Sequence, residues 1–246
     1  MSSRAMCTRC ESKLHVPSRR LLLQSAAGVA LATIAAPAVA LAQSESPKPE
    51  NDLTPDEAFD RLMEGNQRYV QGVARRHDFL NEREALTTGQ NPFAGILSCA
   101  DSRIAPEYAF DSGRGDLFVC RVAGNFLNDD GLASFEYAVQ VLGTPLLMVL
   151  GHQACGAVDA AIKSVGEGTT LPGHLPALVT ALTPAVKAAS GQPGDTLDNT
   201  IKQNVLLNVE RLKNATPIVS KFVADGKVRV VGAVYKLDTG KVEILQ

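Results

Sequence analysis

A chain of 246 residues suits one large domain or two small ones. Its formal charge at pH 7 is −2, and setting aside a 42-residue leader, which holds Arg4, Arg9, Lys13, Arg19 and Arg20 against Glu11, takes it to −6. That balance argues against nucleic acid or an anionic membrane surface as partner.

The leader is read from Ser18-Arg19-Arg20-Leu21-Leu22-Leu23, a twin-arginine export pattern. It runs into an Ala-rich apolar stretch, then Pro37 and the small-residue site Ala40-Leu41-Ala42. Residues 21–42 are long enough to span a bilayer as an uncleaved anchor, but paired arginines with an A-x-A site favour a signal peptide. No Cys follows the apolar run closely, which argues against lipoprotein processing. Cys7 and Cys10, with His15 nearby, lie upstream of the cut and are incidental. The expected organisation is a twin-arginine signal peptide over 1–42, removed on export to the periplasm, a flexible leader over 43–53 and a single domain over 54–246.

Thr54-Pro55-Asp56-Glu57 opens a helix, with Thr54 as N-cap, Pro55 at the first helical position and two acids at the positive helix end. Phe59, Leu62, Met63 and Tyr69 give it an apolar stripe to about Gln71. Residues 73–78 form a basic bend containing His77, and a second helix covers 81–88. Phe93-Ala94-Gly95-Ile96-Leu97 reads as a short buried strand. A short helix follows over 104–110, a second strand over 117–122 and a helix over 131–142. A third strand covers 145–150, and the next helix starts near Cys155. Residues 166–176 form a loop holding His174. Helices follow over 178–189, 195–214 and 217–225, then a fourth strand over 228–235 and a short antiparallel edge strand over 241–245. Strands alternating with helices define an α/β fold, a mainly parallel sheet of four strands plus one antiparallel edge strand, with helices on both faces.

Three cysteines remain after the leader: Cys99, Cys120 and Cys155. An odd count argues against a disulfide framework and fits a metal role, although the compartment is oxidising. Cys99 follows the first strand, and Gly151-His152-Gln153-Ala154-Cys155 follows the third. Two thiolates and one imidazole give three ligands with a fourth position open, the pattern of a catalytic zinc site. Soft thiolates favour zinc over magnesium or manganese. In extended backbone Cys99, Asp101 and Arg103 share a face and could address one point. Strand carboxyl ends near a topological switch are where such a sheet places its sites. Cys99 and Cys155 lack the C-x-x-C spacing and resolving partner of a redox pair.

The text Ser98-Cys99-Ala100-Asp101-Ser102-Arg103, Pro106-Glu107, Gly115-Asp116-Leu117-Phe118-Val119, Ala123-Gly124-Asn125, Glu136-Tyr137-Ala138-Val139, Gly151-His152 and Cys155-Gly156 resembles the β-class carbonic anhydrases. The resemblance spans the mature chain and is densest between Gln90 and Ala161. It implies one zinc per chain on Cys99, His152 and Cys155, and reversible hydration of carbon dioxide to bicarbonate and a proton through a zinc-bound hydroxide. It implies that Arg103 holds Asp101 off the metal, and that Asp101 orients the hydroxide. It further implies a substrate pocket of Gln90, Phe118, Ala123, Gly124 and Tyr137, with Gln90 acting across a subunit interface. The helix at 54–71 would then be an N-terminal arm of a homodimer, with a tetramer open. Hydrolysis of carbonyl sulfide or carbon disulfide is the alternative activity, and a zinc-holding protein without catalysis, its fourth position blocked by Asp101, the non-enzymatic one. Two departures stand out. Cys120-Arg121-Val122 replaces the Val-Arg-Asn of many relatives and adds a thiol expected to be buried and inert. Ile96 replaces the Trp of members with an inhibitory bicarbonate pocket, so that pocket is not expected here.

Overall fold

Five strands form one sheet in the order β2-β1-β3-β4-β5 in the computed structural model, which describes residues 52–76 and 79–245. The strands are β1 (Ala94–Ser98), β2 (Leu117–Arg121), β3 (Leu146–His152), β4 (Arg229–Tyr235) and β5 (Val242–Leu245). The first four pair in parallel and β5 pairs antiparallel to β4. The helices are α1 (Pro55–Val70), α2 (Phe79–Ala85), α3 (Pro106–Ala109), α4 (Asp129–Gln140), α5 (Gly156–Glu167), α6 (Leu175–Ala189), α7 (Thr196–Lys213) and α8 (Val219–Ala224), with a short 3-10 turn over Leu86–Thr88. The expected leader, Cys7, Cys10, His15 and His77 lie outside the described residues. Among the described residues no helix is long and apolar enough to cross a membrane.

β1 and β3 are buried along their whole length, as strands covered on both faces must be. Their alternate side chains feed two separate cores. Ala94, Ile96, Leu146, Met148 and Leu150 join Val231, Ala233 and Tyr235 on one face. Leu97, Leu147 and Val149 join Phe135, Val158, Val205 and Val209 on the other. α1 and α3 cover the first core, and α4, α5 and α7 cover the second.

The chain steps from β1 outward to β2, then crosses back to β3 on the other side of β1. The order therefore reverses between β1 and β3, which opens a crevice at their carboxyl ends. Ser98 pairs with Leu150, so Cys99 and His152 emerge side by side at that crevice.

The first helix begins as read, with a capping box between Thr54 and Glu57, and it packs into the core of its own chain. Ala58 and Leu62 are fully buried against Phe93, Ile96, Phe110 and Val242 of the same chain. Asn66 donates to the carbonyls of Ala109 and Gly240 and accepts from the N–H of Val242, each at 2.9 Å. Gly65 passes so close to Phe110 that an added Cβ would stand 1.9 Å from its carbonyl oxygen. Backbone packing at that distance requires glycine.

Candidate metal centre

Three buried ligand atoms converge at the crevice. The sulfurs of Cys99 and Cys155 and a ring nitrogen of His152 all lie within 4.8 Å of one another. The two sulfurs are 4.0 Å apart. That excludes a disulfide and is close to the ~3.8 Å expected of two sulfurs each ~2.3 Å from one tetrahedral zinc. His152 Nδ1 stands 2.9 Å from the Gln153 carbonyl. A carbonyl only accepts, so Nδ1 carries the proton and Nε2 presents its lone pair. Nε2 is buried and has no hydrogen-bond partner. An orphaned imidazole nitrogen facing two thiols is a donor set that fits zinc.

Local structure delivers each ligand. His152 is the last residue of β3, and Cys155 is the N-cap of α5, where the helix dipole favours a thiolate. Between them Ala154 takes a left-handed φ of 53°, which turns the chain back toward the crevice. Cys99 accepts a hydrogen bond at its sulfur from the backbone N–H of Gly124 at 3.2 Å.

The two thiols share a proton unequally. The Cys155 S–H, donating to Cys99, draws the Cys99 thiol far below its ordinary range, against the opposing effect of burial. Cys155 is pushed up by the same hydrogen bond and by its own burial. His152 is raised: burial acts against its charged form, but the Cys99 thiolate and the Gln153 carbonyl outweigh it.

Asp101 and Arg103 flank this centre. Arg103 donates to Asp101 three times: Nε to Oδ1 at 2.9 Å, Nη2 to Oδ2 at 2.7 Å and its own backbone N–H to Oδ1 at 2.9 Å. The Arg103 hydrogen bond holds the Asp101 carboxyl far below the usual carboxylate range. Nη2 also reaches the Ala154 carbonyl at 3.1 Å, beside Cys155. Asp101 Oδ2 stands 3.9 Å from His152 Nε2, within a small rotation of the ligand cluster. The expected extended alternation is not how this is achieved. The segment turns, closed by Ile104 N–H to the Asp101 carbonyl at 3.3 Å, and the turn brings Arg103 back over Asp101.

The residues expected at the substrate pocket divide. Gly124 touches the cluster through its N–H, and Ala123 stands half-buried beside it. Phe118 on edge strand β2 and Tyr137 on α4 stack with ring centroids 6.4 Å apart, Tyr137 still 47% exposed. Gln90 is exposed in a surface hollow with Leu86, Thr87, Thr88, Gly89 and Gly115, and makes no hydrogen bond to the cluster. Cys120 is half-buried rather than buried, and burial raises its thiol against a bond with Ser134.

Sequence reasoning missed the residues that hold these loops. Asn204 of α7 donates to the Gly124 carbonyl at 2.8 Å, and Asn208 accepts from the Leu127 N–H at 2.8 Å. Arg121, at the end of β2, donates to the carbonyls of Cys99, Asp101 and Ile104 at 2.9, 2.7 and 2.9 Å. The sequence shows only a guanidinium closing an apolar strand, which does not reveal its carbonyl partners. The polar stripe Asn204, Asn208, Arg211 at helical spacing is the signal that could have found the others.

A parallel α/β sheet carrying a Cys2His centre at its switch point, with a clamped carboxylate alongside, defines an open-site zinc enzyme. The comparisons give the family. The family described as carbonic anhydrase matches residues 94–242. Carbonic anhydrase 2 of Mycobacterium tuberculosis is 38% identical over 191 residues, 77% of this chain and 92% of that protein. A carbonic anhydrase of Pseudomonas aeruginosa is 34% identical, covering 66% of this chain and 77% of its own length. Among solved structures, the β-carbonic anhydrase CcaA superposes with a TM-score of 0.59 at 28% identity, over 76% of this chain and 95% of that one. A Coccomyxa β-carbonic anhydrase in complex with acetazolamide gives 0.58 at 25% identity, over 76% and 81%. This chain belongs to the carbonic anhydrase family, in its β class.

Proposed function

We propose that this chain is an exported, periplasmic homodimer that hydrates carbon dioxide to bicarbonate, with Cys99, His152 and Cys155 holding one zinc and Asp101 and Arg103 serving its chemistry. The observation that carries the site assignment is the meeting of three buried ligand atoms, one an orphaned imidazole nitrogen, beside a carboxylate clamped by Arg103. Zinc, when bound, acts as a Lewis acid that makes water a usable nucleophile near neutral pH.

The chain's own groups do the rest. Asp101, kept ionised and turned by Arg103, accepts a hydrogen bond from the attacking water and aims its lone pair at the carbon of carbon dioxide. The proton that water gives up must leave to solvent before the next cycle. The Phe118–Tyr137 wall and Ala123 give an apolar surface suited to a nonpolar gas. The half-buried edge strand β2 and exposed Tyr137 support a subunit interface at this end of the sheet, where the exposed Gln90 reaches substrate from across it.

Stopped-flow hydration by the purified, zinc-loaded mature protein, with carbonyl sulfide run beside it, tests the activity. Sedimentation tests the dimer, and a monomer that is fully active would overturn the shared pocket. Arg19→Lys with Arg20→Lys should leave unprocessed, zinc-loaded protein in the cytoplasm, and normal periplasmic delivery of that variant would argue for another route.

A further inference from the structure

The clamp on Asp101 presents a physical problem. Arg103 has a side chain 51% exposed against 18% for Asp101, so its attraction for the carboxylate is partly screened by water. The competitor is a dication site whose His152 ligand atom is only 3.9 Å from the same carboxylate oxygen. A partly screened ion pair holds a carboxylate off such a site best when the backbone beneath it is fixed. Something must fix the backbone so that Asp101 starts out facing away.

Arg121 has the geometry to do this. Its guanidinium reaches three carbonyls that bracket the residue in question: Cys99, two residues before the turn begins, Asp101 itself and Ile104. Ile104 is also the residue whose N–H returns to the Asp101 carbonyl. One planar fork therefore pins both ends of the turn, and the strand end that leads into it, to the end of β2, the neighbouring strand. We propose that Arg121 is a positioning residue for Asp101, its three-carbonyl brace on residues 99–104 keeping the carboxylate in the grip of Arg103 and the fourth metal position open. The proposal rests on the zinc-site reading. It separates two roles that side-by-side arginines can blur, since Arg103 holds the carboxylate and Arg121 holds the backbone that carries it. A lysine keeps the charge but not the fork, and cannot span three carbonyls at once.

The test uses zinc-loaded mature protein and azide, an anion that must enter the fourth position to bind. Arg121→Lys and Arg121→Gln should keep one zinc per chain. If the open arrangement falls to about a tenth of the population, the apparent Kd for azide rises about tenfold. Hydration should fall by a similar factor. The decisive arm is Asp101→Asn/Arg121→Lys. With no carboxylate able to swing onto the metal, azide should bind within about twofold of Asp101→Asn alone. A merely structural role would not be rescued in this way. Azide affinity unchanged in both single variants, zinc lost from both, or an azide defect that persists in the double variant would each overturn the proposal. Wild-type protein that takes up no zinc would instead overturn the metal-site reading on which it rests.

Discussion

Gly124 donates its backbone N–H to the sulfur of Cys99, from a backbone conformation that favours glycine. Its φ is +84°, and a Cβ there would lie 2.9 Å from Leu182 Cδ1 and 3.3 Å from Leu182 Cδ2. Its carbonyl is held in turn by Asn204. Hydrogen bonds of this kind tune a metal site through the ligand, and losing one typically costs about 10–100-fold in metal affinity or activity. Gly124→Ala should therefore weaken zinc binding by about tenfold, measured by chelator competition. Asn204→Ala should lower stability by about 1–3 kcal/mol, because it strands a carbonyl in the interior. Unchanged zinc affinity in Gly124→Ala would show that displacing this N–H does not disturb the ligand.

Removing Arg103 tests the clamp itself. Arg103→Ala should keep its zinc and its fold yet lose about a hundredfold or more in hydration, the scale on which a misplaced acid–base group acts. Asp101→Asn should be similarly impaired, since an amide orients the nucleophile poorly. Stopped-flow rates and metal analysis on the same preparations decide the point. Activity near wild type in Arg103→Ala would refute the clamp.

Zinc uptake should depend on pH in a definite direction. Cys155 is raised above the ordinary thiol range, so in apoprotein prepared by chelation it keeps its proton at neutral pH, and zinc must displace that proton. Affinity should therefore rise as pH rises, with protons released on binding, followed with an indicator dye. Cys155→Ser should lose the metal, because a hard hydroxyl replaces a soft thiolate. Affinity independent of pH between about 6 and 8 would contradict this protonation pattern.

Asp111 sets a stability prediction in acid. It is buried, which raises its carboxyl, but Arg68 at 2.6 Å and the Arg75 backbone N–H at 2.9 Å outweigh burial and leave it lowered. A lowered folded value means that its contribution is fully present above the unfolded carboxylate value of about 3.9, and is lost as pH falls through the folded one. Acid unfolding of the wild type should steepen below about pH 4, and Asp111→Asn should flatten that limb while lowering stability at neutral pH. Identical acid limbs in the two proteins would exclude Asp111 as the cause.

How much of this was legible in the sequence depends on what each residue looks like in isolation. The strands were readable because a sheet covered on both faces needs continuous apolar runs, and the ligands because Cys and His stand at the ends of two of them. The place of α1 was not. Its stripe was read from Phe59, Leu62, Met63 and Tyr69; Phe59 and Met63 do pack against the core, but its most buried face is Ala58, Leu62, Gly65 and Asn66. Small residues and an asparagine carry little hydrophobic signal, yet they permit the close approach to Phe110 and the staple to Val242. Arg121 went unread for a related reason, since its partners are backbone carbonyls, which no sequence pattern displays.

The packing of α1 into its own core sets what its loss should do. Leu62→Ala should cost about 2–5 kcal/mol of stability by opening a cavity in a fully buried site. A helix serving only as a clasp for another subunit would give a folded monomer instead. Denaturant unfolding beside sedimentation separates the two, and undiminished stability with a lost dimer would show that the helix serves only as an arm.

The most direct measurement is carbon dioxide hydration by stopped flow on the mature protein, in parallel with its zinc content, before and after chelation and zinc return. The expected result is about one zinc per chain, with hydration that disappears on chelation and returns with zinc. Protein carrying its full zinc on Cys99, His152 and Cys155, with Asp101 and Arg103 intact, that hydrates carbon dioxide no faster than buffer would contradict it.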